Sequence, residues 1–213
     1  MKALVKAKRS RGDSQGAIFA AATQEFAERG FDAARVDRIA ARARVNKAMI
    51  YYHYGSKLGL YLEVLRDMFR AVGARVRAIA DGPGSAEVKL DAWIAAIVEE
   101  AAKRPWFPPI ALRELGSGAP HIDNETFGMM NGVYLGARDV IVQGQDEGTF
   151  RQADPLLTYF TIMPSILMFF ARQRVLSQRR NVPDVAAAAP RETTDFVRHV
   201  QTAARAMLRK DHP

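Results

Sequence analysis

The chain has 213 residues, enough for one large or two small domains, and its 48% hydrophobic and 25% charged residues are typical of a globular protein. It contains no cysteine, which excludes a disulfide framework, a thiol nucleophile and a cysteine-based metal site. The N-terminal residues lack the apolar segment of a signal peptide, and the longest apolar run, residues 159–171, is too short to span a bilayer, so we expect a soluble, cytoplasmic protein without membrane partners.

The net charge of +8 is concentrated in the first part of the chain. Residues 1–80 hold 16 lysine and arginine residues against 7 aspartate and glutamate residues, whereas residues 81–213 hold 15 against 16. A cationic domain gains affinity for nucleic acid through counterion release, although a solvated basic surface or a membrane-surface patch would show the same excess. Residues 1–13 predict a disordered basic arm that either touches DNA or only adds solubility.

Three helices are predicted in residues 14–55, which we expect to form a small domain. The first, Ser14 to Arg29, has apolar residues every four positions, and Gly30 suits a left-handed C-terminal cap. Two short helices follow, Val36 to Ala43 and Lys47 to Tyr54, and a tight turn connects them. Asn46 is a good N-cap for the second, because its side-chain oxygen can accept a hydrogen bond from an amide of the first turn.

The third predicted helix presents polar and aromatic groups on its outward face. These residues are Lys47, Ala48, Tyr51, Tyr52 and His53. They combine a cation, hydrogen-bond donors and one small residue that allows close approach to a surface. The layout is typical of a helix-turn-helix whose second helix enters a major groove, and the alternative is a set of ordinary surface aromatics.

Residues 18–60 resemble the DNA-binding domain of the tetracycline-repressor (TetR) family of transcriptional regulators. The matching string is Ile18-x3-Ala22-x3-Phe26, Gly30-Phe31, Asp37-x-Ile39-Ala40, Val45-Asn46-Lys47, Ile50-Tyr51-Tyr52-His53-Tyr54 and Ser56-Lys57-x2-Leu60. The sequence departs from the family pattern in two places. Arg44 stands at the turn where the family usually has glycine, and Leu58-Gly59 where it often has an acidic residue.

The resemblance implies a set of DNA contacts in and around the helix-turn-helix. The implied residues are Arg35, Val36, Asn46, Lys47, Ala48, Tyr51, Tyr52, His53 and Lys57. We predict base-edge contacts for Lys47 and Tyr51. Phosphate contacts are predicted for Tyr52, His53 and Lys57, and Arg35 and Val36 lie where the family approaches the DNA backbone.

The rest of the chain also predicts helices, which makes the fold all-α with about nine helices. Ser56 caps a long connecting helix that ends near Ala80, and the sequence DGPGS at residues 81–85 marks the boundary to a larger domain, residues 81–213. Helices are predicted there for residues 85–104, 110–115, 123–147 and 154–176, with a loop at 177–190. Thr193 or Thr194 is expected to cap the last helix.

The larger domain is the expected place for a ligand, since family members bind effectors there. Gly128, Gly132 and Gly136 form a row on one helix, which indicates close approach of another helix or room for a ligand. Plain core packing is the alternative for each apolar residue. The candidate pocket residues are Trp93, Ile97, Trp106, Phe107, Arg113, His121, Met129, Met130 and Tyr134.

The last two helices predict a homodimer. The helix at 154–176 is apolar nearly all round, so we expect burial on several sides and a kink at Pro164. An interface related by a two-fold axis would also match a palindromic operator. Its predicted residues are Tyr159, Phe160, Ile166 and Phe170 on one helix and Phe196, Val200, Ala203 and Met207 on the last.

These patterns together predict a ligand-responsive DNA-binding regulator, most simply a repressor that an apolar or aromatic effector releases from its operator. The four histidines have no metal-ligand spacing, and no catalytic or cofactor-binding arrangement stands out. We therefore expect neither an enzyme nor a cofactor. The alternative is a DNA-binding regulator without a small-molecule effector, controlled by abundance or by a protein partner; an enzyme with an incidental helix-turn-helix is the other rival.

Overall fold

The computed structural model describes residues 11–178 and 192–210, and these residues form nine α-helices, which confirms the predicted fold class. The helices are α1 (Arg11–Ala33), α2 (Val36–Ala43), α3 (Lys47–Tyr54), α4 (Lys57–Asp81), α5 (Ala86–Lys103), α6 (Phe107–Gly116), α7 (Asn124–Asp146), α8 (Pro155–Ser177) and α9 (Thr193–Leu208). The predicted basic arm lies outside the described residues up to position 10, and its last three residues belong to α1. The predicted loop at 177–190 lies outside them from position 179 onward.

Helices α1, α2 and α3 pack around a small apolar core. Ile18, Phe26, Ile39 and Ile50 are fully buried in it. Gly30 interrupts α1 with φ 74° and ψ 178°. Its φ is positive as predicted, but ψ is extended rather than left-handed helical, a conformation that is essentially restricted to glycine.

Helix α4 is shared by both parts of the molecule. At its start it contacts α1 and α3, and further along it packs against α5 and α7. Ser56 caps it as predicted, because its Oγ accepts from the amide of Gly59 at 2.9 Å. Gly59 has no room for a side chain, since a Cβ there would collide with the backbone carbonyl of Tyr54. The close turn between α3 and α4 therefore requires glycine at position 59, next to Leu58, where the TetR resemblance often implies an acidic residue.

Helices α5 and α7 complete the core of the larger domain. Trp93 is fully buried, and its indole Nε1 donates to the carbonyl of Val133. The glycine row on α7 has two different environments. A Cβ at Gly136 would lie 3.1 Å from the side chain of Val76 on α4, whereas Gly128 and Gly132 have nothing within 4 Å of such an atom. Close helix approach therefore explains Gly136 alone.

Helix α8 is buried on one side in the single chain, and its burial on further sides by a second copy stays a prediction. Asp154 caps it by accepting from the amides of Leu156 and Leu157. Leu157 and Phe160 are 67% and 58% exposed. By length and composition alone, α8 is the one helix of the described residues that could cross a membrane.

The last helix, α9, turns its apolar stripe inward. Its N-cap is Glu192 rather than Thr193 or Thr194. Phe196 and Val200 are buried in the chain's own core, where α9 packs on α5 and the ring of Phe196 stacks on Phe169 at 3.9 Å.

Several predicted interface positions are therefore corrected. Phe196, Val200 and the fully buried Ile166 serve the chain's own core because they point at neighbouring helices. Ala203 and Phe160 are exposed, and Tyr159, Phe170 and Met207 are partly buried. The exposed apolar face lies on α8, and it includes Leu156, Leu157, Phe160, Met168 and Val175.

Candidate DNA-binding surface and internal cavity

The turn between α2 and α3 has the geometry that the sequence predicts. Arg44 adopts the left-handed conformation (φ 56°, ψ 43°) at the turn position where the TetR resemblance implies glycine. The amide of Val45 then donates to the carbonyl of Ala40, which closes the end of α2. An L-residue is strained in this conformation, so the hydrogen bond and the packing around it must hold Arg44 in place.

Helix α3 is fixed at its start and presents a polar face to solvent. Asn46 caps the helix, since its Oδ1 accepts from the amide of Ala48 at 2.8 Å. Ile50 is fully buried and anchors the opposite face. The side chains of Tyr51 and Tyr52 are exposed at 44% and 62%. A rigid helix thus displays hydrogen-bonding groups on an open surface.

Lys47 is held by an ion pair in the DNA-free chain. Its Nζ lies 2.8 Å from Oδ1 of Asp37 on α2. The hydrogen bond to Asp37 raises the pKa of Lys47, so the ammonium is charged at neutral pH. A base-edge contact by Lys47 requires this pair to open, and exposed ion pairs contribute little to stability.

Three other predicted DNA-contact residues are placed differently from what their sequence position suggests. Val36 is buried, because it starts α2 on the side that faces the core, and it is therefore unavailable to DNA. Its neighbour Arg35 is exposed. The Nε2 atom of His53 is buried without a hydrogen-bond partner among the described residues, so this nitrogen does not reach the surface. Lys57 is half-buried, donates to the carbonyl of Asp32 at 3.2 Å and lies 4.4 Å from the ring centroid of Phe31.

A buried carboxylate that the sequence reading did not single out joins α1 to α2. Glu25 is 1% exposed and pairs with Arg29, Arg38 and Arg42 at 3.4–3.9 Å. It also accepts from the amide of Arg35. The i, i+4 spacing of Glu25 and Arg29 was the only sequence signal of this cluster. The cluster therefore ties α1 to α2, the helix that precedes α3.

The larger domain contains an apolar cavity of about 90 Å³ between α4, α5, α6, α7 and α8. Its walls are almost entirely hydrocarbon and include three methionines. The lining residues are Leu65, Met68, Phe69, Val72, Ile97, Ala101, Phe107, Ala111, Glu114, Leu115, Ile122, Met130, Val133, Tyr159, Met163, Ile166 and Leu167.

The predicted pocket residues divide into three groups. Three line the cavity: Ile97, Phe107 and Met130. Two others, Trp93 and Tyr134, lie behind the wall, where their rings contact that of Tyr159 at 6.1 and 5.5 Å. The remaining four do not line it: Trp106, Arg113, His121 and Met129.

Glu114, rather than Arg113, is the charged residue of the cavity wall. Residues 107, 110, 111, 114 and 115 share one face of α6, so the helical period of this short segment would have placed position 114 inside. The side chain of Arg113 instead reaches α1, where its guanidinium donates to the carbonyl of Phe26. A Cβ at Gly30 would lie 2.7 Å from Cδ of Arg113, so the glycine gives this side chain its room.

His121 connects the cavity wall to the small domain. Its amide donates to Oε1 of Glu114 at 2.9 Å, and its Nδ1 lies 3.1 Å from Oε2. The hydroxyl of Tyr61 donates to the same Oε2 at 2.8 Å. On its other side the imidazole lies on Phe31, with ring centroids 4.1 Å apart. The ammonium of Lys57 lies over the ring of Phe31. A short line of contacts therefore joins the cavity to the edge of the DNA-binding face.

These features define a class of protein: a helix-turn-helix DNA-binding domain joined by one long helix to an all-α domain with an internal cavity. The family profile described as "Bacterial regulatory proteins, tetR family" matches residues 18–64, which cover α2, α3 and the flanking segments. This segment of the chain is therefore similar to the DNA-binding region of the tetR family of bacterial regulatory proteins. DNA-binding transcriptional regulation is therefore its supported function.

Relatives extend the similarity beyond the matched domain. The transcriptional repressor NicS of Pseudomonas putida is 28% identical over 155 residues, which cover 72% of this chain and 73% of NicS. The transcriptional regulator RutR of Escherichia coli K12 is 29% identical over 161 residues, 74% of this chain and 75% of RutR. The solved structure of the TetR family regulator PfmR from Thermus thermophilus has a TM-score of 0.71 at 18% identity, covering 91% of this chain and 99% of PfmR, a likeness of fold.

Proposed function

We propose that this protein is a homodimeric repressor that binds a palindromic operator with α3 and responds to a small ligand in the cavity. The observation that carries the DNA part is α3 itself. The helix is capped by Asn46 and anchored by Ile50, and it leaves Lys47, Tyr51 and Tyr52 exposed on one face. The repressor sense is supported by NicS, which is named a repressor.

The dimer proposal is supported by the exposed face of α8. Leu157, Phe160 and Met168 are each more than half exposed, and a contiguous apolar face of this kind is a liability in a monomer. A second copy related by a two-fold axis would cover this face with its own α8. The same axis places two recognition helices on the two halves of a palindrome.

The ligand-response proposal is supported by the position of the cavity. It adjoins α4, which also contacts α1 and α3, and its wall residue Glu114 contacts His121 at the small domain. A ligand that changes these contacts differentially in two global states would change operator affinity.

A regulator without a small-molecule effector is the second candidate, and the size of the cavity favours it. About 90 Å³ is smaller than the roughly 150 Å³ of an engineered cavity that binds benzene. An aromatic ligand would therefore require the walls to move.

The experiment for the DNA part is selection of duplexes from a random pool, followed by binding measurements at several salt concentrations. Replacing Lys47 with alanine should lower discrimination between operator and random DNA by about 1–3 kcal/mol, as expected for a lost base contact. Replacing Lys57 should weaken binding to all sequences and reduce the salt slope by about one.

Arg138→Ala is the matched control, because Arg138 is an exposed cation on α7, away from α3. It should leave both the discrimination and the salt slope unchanged. Equal affinity of the unaltered protein for operator and random DNA would contradict the regulator proposal.

A further inference from the structure

Three carboxylates are buried in the described chain, and they differ in how their charge is neutralised. Glu25 has three arginines within 4 Å. Glu100 is paired with Arg75, Lys103 and Arg104 at 2.5–2.9 Å. Glu114 is 3% exposed, and within the described residues no lysine or arginine lies within 4 Å of it.

The partners of Glu114 are neutral donors and one imidazole. The Tyr61 hydroxyl and the amide and Nδ1 of His121 supply three hydrogen bonds. Burial is the main cause that raises the pKa of Tyr61, and the hydrogen bond to Glu114 raises it further. The Tyr61 hydroxyl therefore stays protonated. An ionised carboxylate has about four lone-pair sites, so one remains for a further donor. Burying a carboxylate is costly unless its charge is compensated, and Glu114 lacks the cations of its two counterparts.

Glu114 also differs from the other two in its location, because it alone forms part of the cavity wall. Every other lining residue is apolar apart from the phenol of Tyr159. Burial raises the pKa of Tyr159 to about 12, so its hydroxyl is neutral at physiological pH. A cavity with one carboxylate in otherwise hydrocarbon walls favours a ligand that carries a positive charge at one end and is apolar elsewhere.

We infer that the cavity binds a small apolar amine whose protonated nitrogen pairs with Glu114. This inference rests on the proposed ligand response and names the chemical class of the effector. The ammonium supplies a lysine-like cation, which Glu114 lacks among its described partners, together with the fourth hydrogen bond, while the hydrocarbon part fills the apolar space. A ligand carboxylate is disfavoured at the same place because two buried anions would repel each other.

The cavity has the means to enlarge around such a ligand. Met68, Met130 and Met163 line three different walls, on α4, α7 and α8. Methionine side chains are unbranched and adapt their rotamers to irregular shapes. A compound of one aromatic ring can therefore enter by rearrangement of side chains, with the helices retaining their bounds.

The test uses four compounds that share a ring and differ in one group: benzylamine, benzyl alcohol, benzoate and toluene. Binding of each to the full-length protein is measured by calorimetry at pH 7. We expect the order benzylamine, benzyl alcohol, toluene, with no binding of benzoate. Benzoate binding as tightly as benzylamine, or no binding of any compound, would overturn the inference.

Two variants test whether Glu114 causes the preference for the amine and whether the compounds bind in the cavity. Glu114→Gln keeps the shape and the hydrogen-bonding oxygen but removes the charge, so benzylamine affinity should fall about tenfold or more while benzyl alcohol affinity stays within a factor of three. Ala111→Leu fills the cavity one turn away and should abolish binding of all the compounds. An unchanged preference for benzylamine in Glu114→Gln would show that another group recognises the amine.

Operator binding is measured on the same samples, so that failure of the two proposals can be told apart. If the unaltered protein discriminates its operator but does not prefer the amine, the amine inference is refuted and the DNA-binding proposal stands. Selective amine binding that leaves operator affinity unchanged supports the site and contradicts the proposed ligand response.

Discussion

The DNA-binding domain and the cavity region use the same kind of helix for different purposes. In the small domain, the functional surface is the outside of one short helix, and its position is set by a local turn and one cap. In the larger domain, the functional space lies between five consecutive helices, and its lining residues are spread from Leu65 to Leu167. A surface helix can be identified from neighbouring residues, whereas a cavity depends on which side chains meet in three dimensions.

The largest expected effect concerns the last helix, where local pattern and tertiary placement disagree. Phe196 is buried in the chain's own core, so Phe196→Arg should destabilise the fold by about 3–5 kcal/mol by burying an unpaired charge. Leu157 is exposed on α8, so Leu157→Arg should leave the fold of the single chain nearly unchanged and yield monomers. Thermal melting and light scattering at micromolar concentration distinguish these outcomes.

The reversed result would restore the interface predicted from the sequence. If Phe196→Arg gives folded monomers and Leu157→Arg stays dimeric, the stripe of α9 faces the partner. Operator affinity should fall in whichever variant is monomeric, because the palindrome needs two recognition helices.

The sequence predicted most of the small domain because its signals are local. The bounds of α2 and α3 and the Asn46 cap all follow from residues within a few positions of each other. Val36 was misplaced because the resemblance gives a position along the chain without the direction of the side chain. Such a direction depends on the packing of α2 against α1.

The cavity was predicted less well because its signals are tertiary. All nine helices were expected, yet Trp93 and Tyr134 lie behind the wall and Glu114 was missed. Aromatic residues on the correct helices do not reveal which of them reaches the empty space. The apolar stripe of α9 was assigned to a partner for a similar reason, since the sequence does not show that α5 covers it.

An effect of intermediate size is expected at Glu100, which links α4 and α5. Burial alone would raise the pKa of Glu100, but hydrogen bonds from Lys103, Arg75 and Arg104 outweigh it and lower the pKa to about 2. A depressed pKa means that the carboxylate stabilises the fold above its ordinary value of 4.5 and that this stabilisation is lost as the pH falls toward 2. Glu100→Gln should therefore cost about 1–3 kcal/mol at pH 7.

The pH dependence separates this prediction from a general loss of stability. In urea unfolding, the difference between the unaltered protein and Glu100→Gln should shrink between pH 4.5 and pH 2. Glu99→Gln is the control, because Glu99 is exposed and, among the residues that the structure describes, it pairs with Arg75 alone. Its effect should stay within about 1 kcal/mol. A difference for Glu100→Gln that is constant with pH would show that the charge is not responsible.

The smallest expected effect concerns the glycine row of α7, where one pattern has two causes. Gly132→Ala should stabilise the chain by about 0.5–1 kcal/mol, because alanine favours the helix and the site has nothing within 4 Å of the added Cβ. Gly136→Ala gains the same helix propensity but places a Cβ 3.1 Å from Val76, which is fully buried and has little freedom to move. Its net effect should be destabilising by about 1 kcal/mol or more.

Urea unfolding of both variants at two protein concentrations provides the measurement. Destabilisation by Gly132→Ala, growing with protein concentration, would show that a second copy covers this face and that α7 belongs to the interface with α8.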